Sequence, residues 1–263
     1  MPELPEVETI KYPINPSVSN RKIISIDVFR DKTILSGSQD FVNKLTNQTF
    51  LNVTRKGKFL IFHLTNNLVM ISHLRMEGKY YDLLEGEDNS NYAKVVFHLD
   101  NNHKLVYDDS RCFGIMILSD EENYLKEKEI SKLGPEPFEI NDVSFLMKKC
   151  KNKRLPIKST LLDQSLMTGL GNIYVDETLY ASNIHPLTPA YLLNKKDWEN
   201  IINNAKEILN TAISLGGSTI KSYHPGKGID GNFQTRIKIY GKSGEVCPRC
   251  GKTFRFIKVG GRG

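Results

Sequence analysis

The chain has 263 residues, of which 39% are hydrophobic and 25% charged, a composition typical of a soluble globular protein with one large or two ordinary domains. No apolar run reaches membrane-spanning length, and the acidic amino terminus lacks the regions of a signal peptide, so we expect an intracellular protein. Four cysteines, two of them in Cys247-Pro248-Arg249-Cys250, do not indicate a disulfide framework in that setting.

The net charge of +6 is unevenly distributed along the chain. Residues 1–200 carry 25 Lys and Arg against 27 Asp and Glu, whereas residues 201–263 carry 11 against 3. A second basic stretch, residues 143–162, contains Lys and Arg but no acidic residue. A run of charge is usually a solvated surface, but two such patches in one chain suggest a surface that follows a phosphate backbone.

The chain opens with Met1-Pro2-Glu3-Leu4-Pro5-Glu6, ahead of a helix predicted from Val7. Removal of Met1 would leave Pro2 as an amino-terminal secondary amine followed by two carboxylates. Because α-amino groups titrate at about 7.7–8.0, such an amine can act as a nucleophile near neutral pH. On its own, the segment is more simply a Pro-rich terminus that caps a helix. The prolines of Tyr12-Pro13-Ile14-Asn15-Pro16 should kink or end that helix.

Alternating patterning follows over residues 20–118. The predicted strands are residues 22–29, 58–64, 68–74, 93–100 and 103–108. Asn66-Asn67 and Asp100-Asn101-Asn102 are predicted hairpin turns. This pattern predicts an antiparallel sandwich or barrel.

A break in the pattern at Leu133-Gly134-Pro135-Glu136-Pro137 predicts a linker. Helical periodicity follows at residues 144–151, 157–163, 173–182 and 196–215. The second and third helices are joined by a glycine-containing turn, residues 164–172, that would let a phosphate approach the backbone at the helix beginning with Asn172. A plain helix–helix connection is the simpler interpretation of this turn taken alone.

The last part of the chain contains a long loop and a cysteine pair. Residues 216–232 are glycine-rich and long enough to form a functional lid. Residues 233–240 and 254–259 alternate like strands, and Cys247-Pro248-Arg249-Cys250-Gly251 between them has the ligand spacing of a zinc knuckle.

Five colinear blocks between residues 2 and 263 closely resemble the formamidopyrimidine-DNA glycosylase family. The blocks are Pro2-Glu3-Leu4-Pro5-Glu6-Val7-Glu8-Thr9, Arg55-Lys56-Gly57-Lys58, Ser72-His73-Leu74-Arg75-Met76-Glu77-Gly78, Thr168-Gly169-Leu170-Gly171-Asn172-Ile173-Tyr174 and Lys258-Val259-Gly260-Gly261-Arg262-Gly263. The resemblance implies a bacterial base-excision-repair enzyme that removes oxidised purines from DNA and then nicks the strand. Leucine rather than glycine at position 4 makes the amino-terminal motif resemble this family more than its relative endonuclease VIII, which prefers oxidised pyrimidines.

The resemblance also implies the fold class, α+β with two domains. An antiparallel β-sandwich with a leading helix would occupy residues 1–133, followed by a linker at 134–142. A helix-two-turn-helix domain with a lesion-capping loop would occupy 143–232, and a zinc-finger β-hairpin 233–263. DNA is expected in the cleft between the domains.

The resemblance assigns a role to each matching residue. Pro2 would attack C1′ of the damaged nucleotide and form a Schiff base, Glu3 would transfer protons, and Lys58 would bind phosphate and assist elimination. The residues implied to position the lesion are Glu6, Glu177, Ser218, Thr219, Ile220, Lys221, Ser222 and Tyr223, although Glu177 fits a structural role equally well. Those implied to intercalate are Met76, Arg111 and Phe113. Those implied to bind DNA phosphates are His73, Arg75, Lys158, Asn172, Tyr240 and Arg262.

One departure from the family pattern concerns zinc. The family's finger uses two cysteine pairs, and here Cys247 and Cys250 form the first pair while no second pair follows Arg262. The resemblance implies one structural Zn²⁺ if further ligands follow Gly263; if the chain ends at Gly263, two cysteines do not complete a tetrahedral site and zinc is not expected. Cys112 and Cys150 lie in other segments and have no predicted role.

The predicted partner is damaged double-stranded DNA, bound by a monomer in the bacterial cytosol or nucleoid. Two alternatives stay open. The first is a glycosylase of the same fold with a preference for oxidised pyrimidines. The second is a non-catalytic protein that binds damaged DNA without cutting it.

Overall fold

The structure is a computed structural model that describes residues 2–218 and 231–263. The chain divides into two compact units. The first comprises the residues up to Ser131 together with Gly216, Gly217, Ser218 and Gly231, and the second comprises Lys132–Leu215 and Asn232–Gly263. No helix in the described ranges is both long and apolar enough to cross a lipid bilayer.

The first unit is built mainly from strands. Its elements are α1 (Leu4–Val18), β1 (Arg21–Val28), α2 (Ser38–Leu45), β2 (Thr49–Lys56), β3 (Phe59–Leu64), β4 (Leu68–His73), β5 (Lys79–Leu84), β6 (Ala93–Leu99), β7 (His103–Asp108), β8 (Ile115–Asp120) and α3 (Lys128–Ser131). The five predicted strands are confirmed as β1, β3, β4, β6 and β7. The patterns missed α2, β2, β5 and β8; in β2 a register shift between Phe50 and Asn52 breaks the alternation.

The strands pair antiparallel in the order β5-β7-β6-β1-β2-β3-β4-β8. β1 passes from one layer to the other, because Arg21 and Lys22 pair with β2 while the rest of the strand pairs with β6. The core contains fully buried aromatic side chains, Phe41, Phe50, Phe62 and Phe97, together with the apolar face of α1. The predicted antiparallel sandwich with a leading helix is confirmed.

Of the two predicted effects of the prolines, an end to the first helix is wrong, because α1 continues past both Pro13 and Pro16 to Val18, whereas a kink stays a prediction. Both prolines lie on the exposed face, whereas Ile10, Ile14 and Val18 on the other face are buried in the core. Burial of this apolar face outweighs the backbone hydrogen bonds that proline cannot donate.

The second unit contains the four predicted helices. They are α4 (Ser144–Cys150), α5 (Ile157–Leu161), α6 (Asn172–Ala181) and α7 (Lys195–Ser214). α7 begins at a capping box in which Asn194 and Asp197 each accept the backbone N–H of the other at 3.0 Å. In the predicted linker, Gly134 N–H donates to the carbonyl of Gln164 at 2.8 Å, which ties this segment to the turn before α6.

Two predicted strands after residue 232 are wrong. Phe233–Arg236 forms a 3-10 turn, and the backbone N–H groups of residues 238–240 donate to a carboxylate of α6 rather than to a neighbouring strand. Pairing in the described residues after 240 is limited to two antiparallel bridges, Val246 with Thr253 and Val259 with Arg262.

Candidate functional site

The start of α1 buries the segment predicted to carry the chemistry. Pro2 is buried, and Glu3 and Glu6 are each only 1% exposed. Glu6 accepts the backbone N–H of Glu3 at 2.9 Å, as one half of a capping box that begins the helix. The helix start therefore holds the residues next to Pro2 in one conformation.

Glu6 also fixes a segment from the far end of the unit. Its Oε1 accepts the N–H of Ser218 at 2.8 Å and the Ser218 hydroxyl at 2.9 Å. Gly217 has a φ of +75°, and a Cβ there would lie 3.2 Å from the Glu6 side chain. A Cβ on Gly231 would lie 2.3 Å from the carbonyl oxygen of Gly217, so the backbone at Gly231 passes directly against that of Gly217.

Lys58 lies in a two-residue hairpin turn between β2 and β3. Lys56 pairs with Phe59 across the turn, and Gly57 adopts a φ of +57°. Lys58 is only 6% exposed although it is a lysine at a turn. The turn between β2 and β3 therefore holds Lys58 in place independently of α1.

His73, at the end of β4, is a neutral imidazole at physiological pH. Burial, with the positive charges of Arg75 and Lys58, lowers the pKa of His73 to about 3. Its Nδ1 accepts the backbone N–H of Arg75 at 2.9 Å, so Nε2 carries the proton and can donate. Arg75 itself is exposed, at a φ of +54°.

An ion pair that the sequence analysis did not identify joins α1 to β2. Arg55 Nε donates to Glu8 at 2.6 Å, Lys11 also contacts Glu8, and Arg55 donates to the carbonyl of Gly57 at 2.7 Å. Burial alone would raise the pKa of Glu8, but the hydrogen bonds and charges of Lys11 and Arg55 lower it below its ordinary value. Glu8 and Arg55 both belong to blocks that resemble the family, and this resemblance was the signal in the sequence that could have identified the ion pair.

The predicted intercalating residues are at least partly solvent-accessible. Phe113 is 54% exposed, Arg111 is exposed and lies with its guanidinium 5.2 Å from the Phe113 ring, and Met76 is half-buried. The loop after β7 is organised by the buried Asp109, whose carboxylate accepts the N–H groups of Arg111 at 3.0 Å and Gly114 at 2.7 Å. Large side chains are therefore presented to solvent from an ordered loop.

In the second unit, Glu177 of α6 acts as a backbone anchor. It is 3% exposed, and its carboxylate accepts the N–H groups of Lys238, Ile239 and Tyr240, each at 2.9 Å. Three donors to one buried carboxylate hold this segment against α6. This geometry corresponds to the structural role that the sequence analysis left open.

Lys158, predicted to bind phosphate, is 2% exposed and pairs with Asp176 of α6 at 2.7 Å. It also donates to the carbonyl of Gly263. Burial raises the pKa of Asp176 above its ordinary value, against the opposing effect of Lys158. Asn172 is the first residue of the same helix, and its Oδ1 has no hydrogen-bond partner among the described residues.

Arg262 is exposed at the end of a tight turn whose Gly260 and Gly261 have φ values of +56° and +77°. Val259 and Arg262 exchange backbone hydrogen bonds of 2.7 and 3.0 Å across it. Tyr240, the other predicted phosphate contact, is half-buried. The turn directs Arg262 into solvent, where its guanidinium is accessible to a phosphate.

The cysteine pair is fixed to α6 by Arg249, whose guanidinium stacks 3.7 Å from the Tyr180 ring and donates to the Tyr180 carbonyl at 2.8 Å. A hydrogen bond from Tyr180 lowers the pKa of Cys247 to about 7. Among residues 2–218 and 231–263, no group of three or more His, Cys, Asp or Glu side chains is placed to hold a metal ion. Cys247 and Cys250 provide two of four tetrahedral ligands, so the described residues alone do not fit a structural zinc ion.

Five predicted lesion-positioning residues, Thr219, Ile220, Lys221, Ser222 and Tyr223, lie outside the described residues. Of that group the structure places Glu6 and Ser218 together in the first unit and Glu177 in the second.

Comparisons with known proteins extend along the whole chain. A family model described as the formamidopyrimidine-DNA glycosylase N-terminal domain matches residues 1–116, and one described as the formamidopyrimidine-DNA glycosylase H2TH domain matches residues 133–224. The formamidopyrimidine-DNA glycosylases of Mycoplasma mobile and Lactiplantibacillus plantarum are 40% and 41% identical, with 100% of this chain and 96% of each relative covered.

Solved structures are similar as well. A Lactococcus lactis Fpg variant in complex with DNA containing Fapy-dG matches with a TM-score of 0.93 and 37% identity. The Lactococcus lactis Fpg in complex with DNA containing an abasic site matches with a TM-score of 0.92 at the same 37% identity. Each match covers 99% of this chain and 96% of the solved chain.

Proposed function

Because the chain belongs to the formamidopyrimidine-DNA glycosylase family, we propose that it is a base-excision-repair DNA glycosylase and abasic-site lyase. Its proposed substrates are oxidised purines, formamidopyrimidines and 8-oxoguanine, in double-stranded DNA. The observation that carries the proposal is the buried segment at the start of α1, where Pro2 directly precedes two carboxylates that are each 1% exposed.

Pro2 is the proposed nucleophile once Met1 is removed. Its nitrogen attacks C1′ of the damaged nucleotide, the glycosidic bond breaks, and the base leaves with the bonding electrons. The nitrogen then loses its proton, and its lone pair breaks the C1′–O4′ bond, so that O4′ takes a proton and a Schiff base forms at C1′. The Schiff base withdraws electrons from C1′, which allows a proton to leave C2′ as the 3′ phosphate departs by β-elimination, and the 5′ phosphate then departs by δ-elimination. The amine supplies both the glycosylase and the lyase step.

Glu3 is the proposed proton-transfer group, because it is adjacent to the nucleophile in sequence and is held at the helix start. Glu6 positions the segment, since its carboxylate already accepts hydrogen bonds from Glu3 and Ser218. Lys58 binds phosphate and assists elimination, and the Nε2–H of His73 donates to a backbone phosphate. The two residues lie close together, because Phe59, which directly follows Lys58, pairs with His73 between β3 and β4.

Base removal requires that the nucleotide leave the helical stack. We assign Met76 and Phe113 to the gap that it leaves and Arg111 to the base opposite. The exposure of Phe113 and Arg111 supports this assignment, because exposed aromatic side chains on a rigid loop lose little conformational freedom when they insert.

Arg75, Lys158, Asn172, Tyr240 and Arg262 are the proposed contacts to DNA phosphates. Such contacts orient the duplex without reading its sequence. A structural zinc ion at Cys247 and Cys250 stays a prediction, because two thiolates require further ligands.

The damaged duplex is the proposed partner, bound by a monomer in the bacterial cytosol or nucleoid, as the bacterial sources of the named relatives suggest. We also propose the functional division of the chain into residues 1–133, 134–142, 143–232 and 233–263.

The proposal is tested by borohydride trapping of the purified protein on a duplex carrying one 8-oxoguanine opposite cytosine. Peptide mapping of the reduced adduct should locate the crosslink at Pro2. The Pro2→Gly variant should lose at least about tenfold in base removal while binding the duplex normally.

Parallel reactions distinguish the alternatives. Preferential trapping on a duplex with an oxidised pyrimidine would indicate an endonuclease VIII-like preference. Binding without an adduct on either duplex, or on abasic DNA, would show a non-catalytic protein and refute the proposal.

A further inference from the structure

Two separate loops of the first unit carry the proposed intercalating residues. Met76 lies on the loop after β4, and Arg111 and Phe113 lie on the loop after β7. To fill one gap in a duplex, these loops must keep a fixed spacing while the DNA is being unstacked.

Each loop has its own hydrogen bonds. In the first, Gly78 N–H donates to the carbonyl of Leu74 at 2.9 Å, and in the second Asp109 accepts from Arg111 and Gly114. These bonds shape each loop but do not set the distance between them.

The Tyr107 hydroxyl lies against both loops. Tyr107 is a fully buried residue of β7. A Cβ built on Gly78 would lie 2.6 Å from its Oη, and a Cβ built on Gly114 would lie 1.6 Å from the same atom. Real Cβ atoms essentially never approach another heavy atom within 3.0 Å, so both loops contact this oxygen more closely than any other residue type permits.

Backbone conformation does not explain the two glycines. Neither Gly78 nor Gly114 has a positive φ, so an L-residue could adopt either conformation. At Gly114 the space is taken by the Tyr107 hydroxyl and ring, and at Gly78 by the hydroxyl and by the backbone of Leu74. Glycine is therefore required at both positions by close neighbours rather than by backbone conformation, and the Tyr107 hydroxyl is a neighbour common to both.

We propose that Tyr107 is a positioning residue whose hydroxyl sets the spacing between the Met76 loop and the Arg111–Phe113 loop, so that both enter DNA as one unit. The inference rests on the proposed function and deepens it, because it names what aligns the intercalating residues. Tyr107 touches neither the substrate nor the reacting atoms.

The ring of Tyr107 has an ordinary core role that must be separated from the role of its hydroxyl. The ring packs against Tyr80 at a centroid distance of 5.0 Å. The Tyr80 hydroxyl donates instead to Ser72 Oγ at 2.8 Å. Tyr80→Phe is therefore a matched control that removes a neighbouring buried hydroxyl without vacating the contact between the loops.

The first experiment compares Tyr107→Phe with Tyr80→Phe on two substrates. Single-turnover excision from the 8-oxoguanine duplex requires intercalation, whereas borohydride trapping on a single-stranded abasic oligonucleotide does not. Tyr107→Phe should slow duplex excision by roughly fivefold or more and change single-stranded trapping by less than about twofold, whereas Tyr80→Phe should not alter the ratio of the two rates. A 2-aminopurine next to the lesion should show delayed unstacking only in Tyr107→Phe.

The second experiment is a double-mutant cycle with Gly114→Ala. Alone, this change should slow duplex excision by about tenfold or more, because the added methyl group collides with the Tyr107 hydroxyl. Tyr107→Phe in the same chain should recover several-fold of that loss, since the atom at 1.6 Å is removed. Thermal unfolding shows whether each variant folds. If a variant containing Gly114→Ala does not fold, the comparison of Tyr107→Phe with Tyr80→Phe alone decides whether the inference holds.

Equal duplex-to-single-strand ratios for Tyr107→Phe, Tyr80→Phe and the unmodified protein would overturn the inference, as would strictly additive effects in a folded cycle. Failure of the unmodified protein to form an adduct on the 8-oxoguanine duplex and on abasic duplex DNA would instead overturn the proposed function, so the two failures are distinguishable.

Discussion

The helices α1 and α6 both begin at residues predicted to handle DNA, but only α1 carries acidic side chains there. α1 starts at Leu4 with Glu3 as its N-cap and Glu6 in its first turn, and both carboxylates are buried. α6 starts at Asn172 after Gly171, with no acidic residue in its first turn and no side-chain cap. The positive end of α1 is thus balanced from within the chain, whereas at α6 no acidic side chain of the first turn balances it.

The starts of α1 and α6 therefore suit two different functions. Carboxylates at a helix start can hold and transfer protons, but they repel phosphate, so the α1 region suits chemistry at the sugar. A helix start without acidic side chains attracts anions, so the α6 region suits phosphate binding. Substitutions in the first region should therefore change rates, and substitutions in the second should change affinity or stability.

The largest effect is expected from Glu3→Gln. Loss of the proposed proton-transfer group should lower single-turnover base removal by roughly 10²–10⁴-fold, with binding of abasic duplex changed less than about threefold. The exposed Glu122→Gln is the control from the same unit. A fall in binding with normal rates would erase the distinction between the two helix starts.

Glu177→Ala tests whether the Glu177 carboxylate of α6 has a structural role. Removing the acceptor of three backbone N–H groups should lower the free energy of unfolding by about 3 kcal/mol or more in urea denaturation. Glu177→Gln keeps one oxygen acceptor and should lose less. Normal stability with impaired excision would mean that Glu177 acts on the lesion instead.

His73 should make the stability of the first unit depend on pH. Its pKa is about 3 in the folded protein, against an ordinary value of 6.5, so below pH 6.5 the unfolded chain binds a proton that the folded chain does not. The free energy of unfolding should therefore decrease as the pH is lowered from 6.5 towards 3. Between pH 7 and pH 5 the wild-type protein should lose about 2 kcal/mol more of this free energy than His73→Gln. Urea unfolding at both pH values measures this difference, and equal losses would contradict a buried neutral imidazole.

The smallest effect is expected from Arg262→Ala in the second unit. Affinity for duplex DNA should fall by about tenfold at low salt, and the salt-dependence slope should decrease by about 0.9, as for one lost phosphate contact. Arg255→Ala makes the same charge change at another exposed position and should alter the slope by less than half as much. Identical slopes for the two variants would indicate a diffuse charge effect.

Local patterns predicted most of the fold. Strands with regular alternation and helices with 3.6-residue periodicity were identified, because those periods reflect which face is buried. The part of α1 beyond Pro13 was not predicted, because its continuation depends on the packing of Ile14 and Val18 in a core formed by residues distant in the sequence. The strand predicted at residues 233–240 failed for the same reason, because Glu177 accepts the N–H groups that a strand would use.

The candidate site divides in the same way. Family blocks identified Pro2, Glu3 and Lys58 as candidates, but not their burial or their neighbours. Lys158 belongs to a stretch without acidic residues, and the sequence could not show that Asp176 of α6 pairs with it. Contacts between residues distant in the chain have no local pattern, so they emerge only from the packed structure.

The close approach of Gly217 and Gly231 has an evolutionary consequence. Gly217 and Gly231 lie side by side in the first unit, although they are fourteen positions apart in the sequence. When two fixed points of a chain lie side by side, the number of residues that joins them can change at small cost, because each doubling of that number adds only about 0.6 kcal/mol of closure entropy. Natural variation in the number of residues between Gly217 and Gly231 is therefore compatible with the fixed contacts of Ser218 to Glu6.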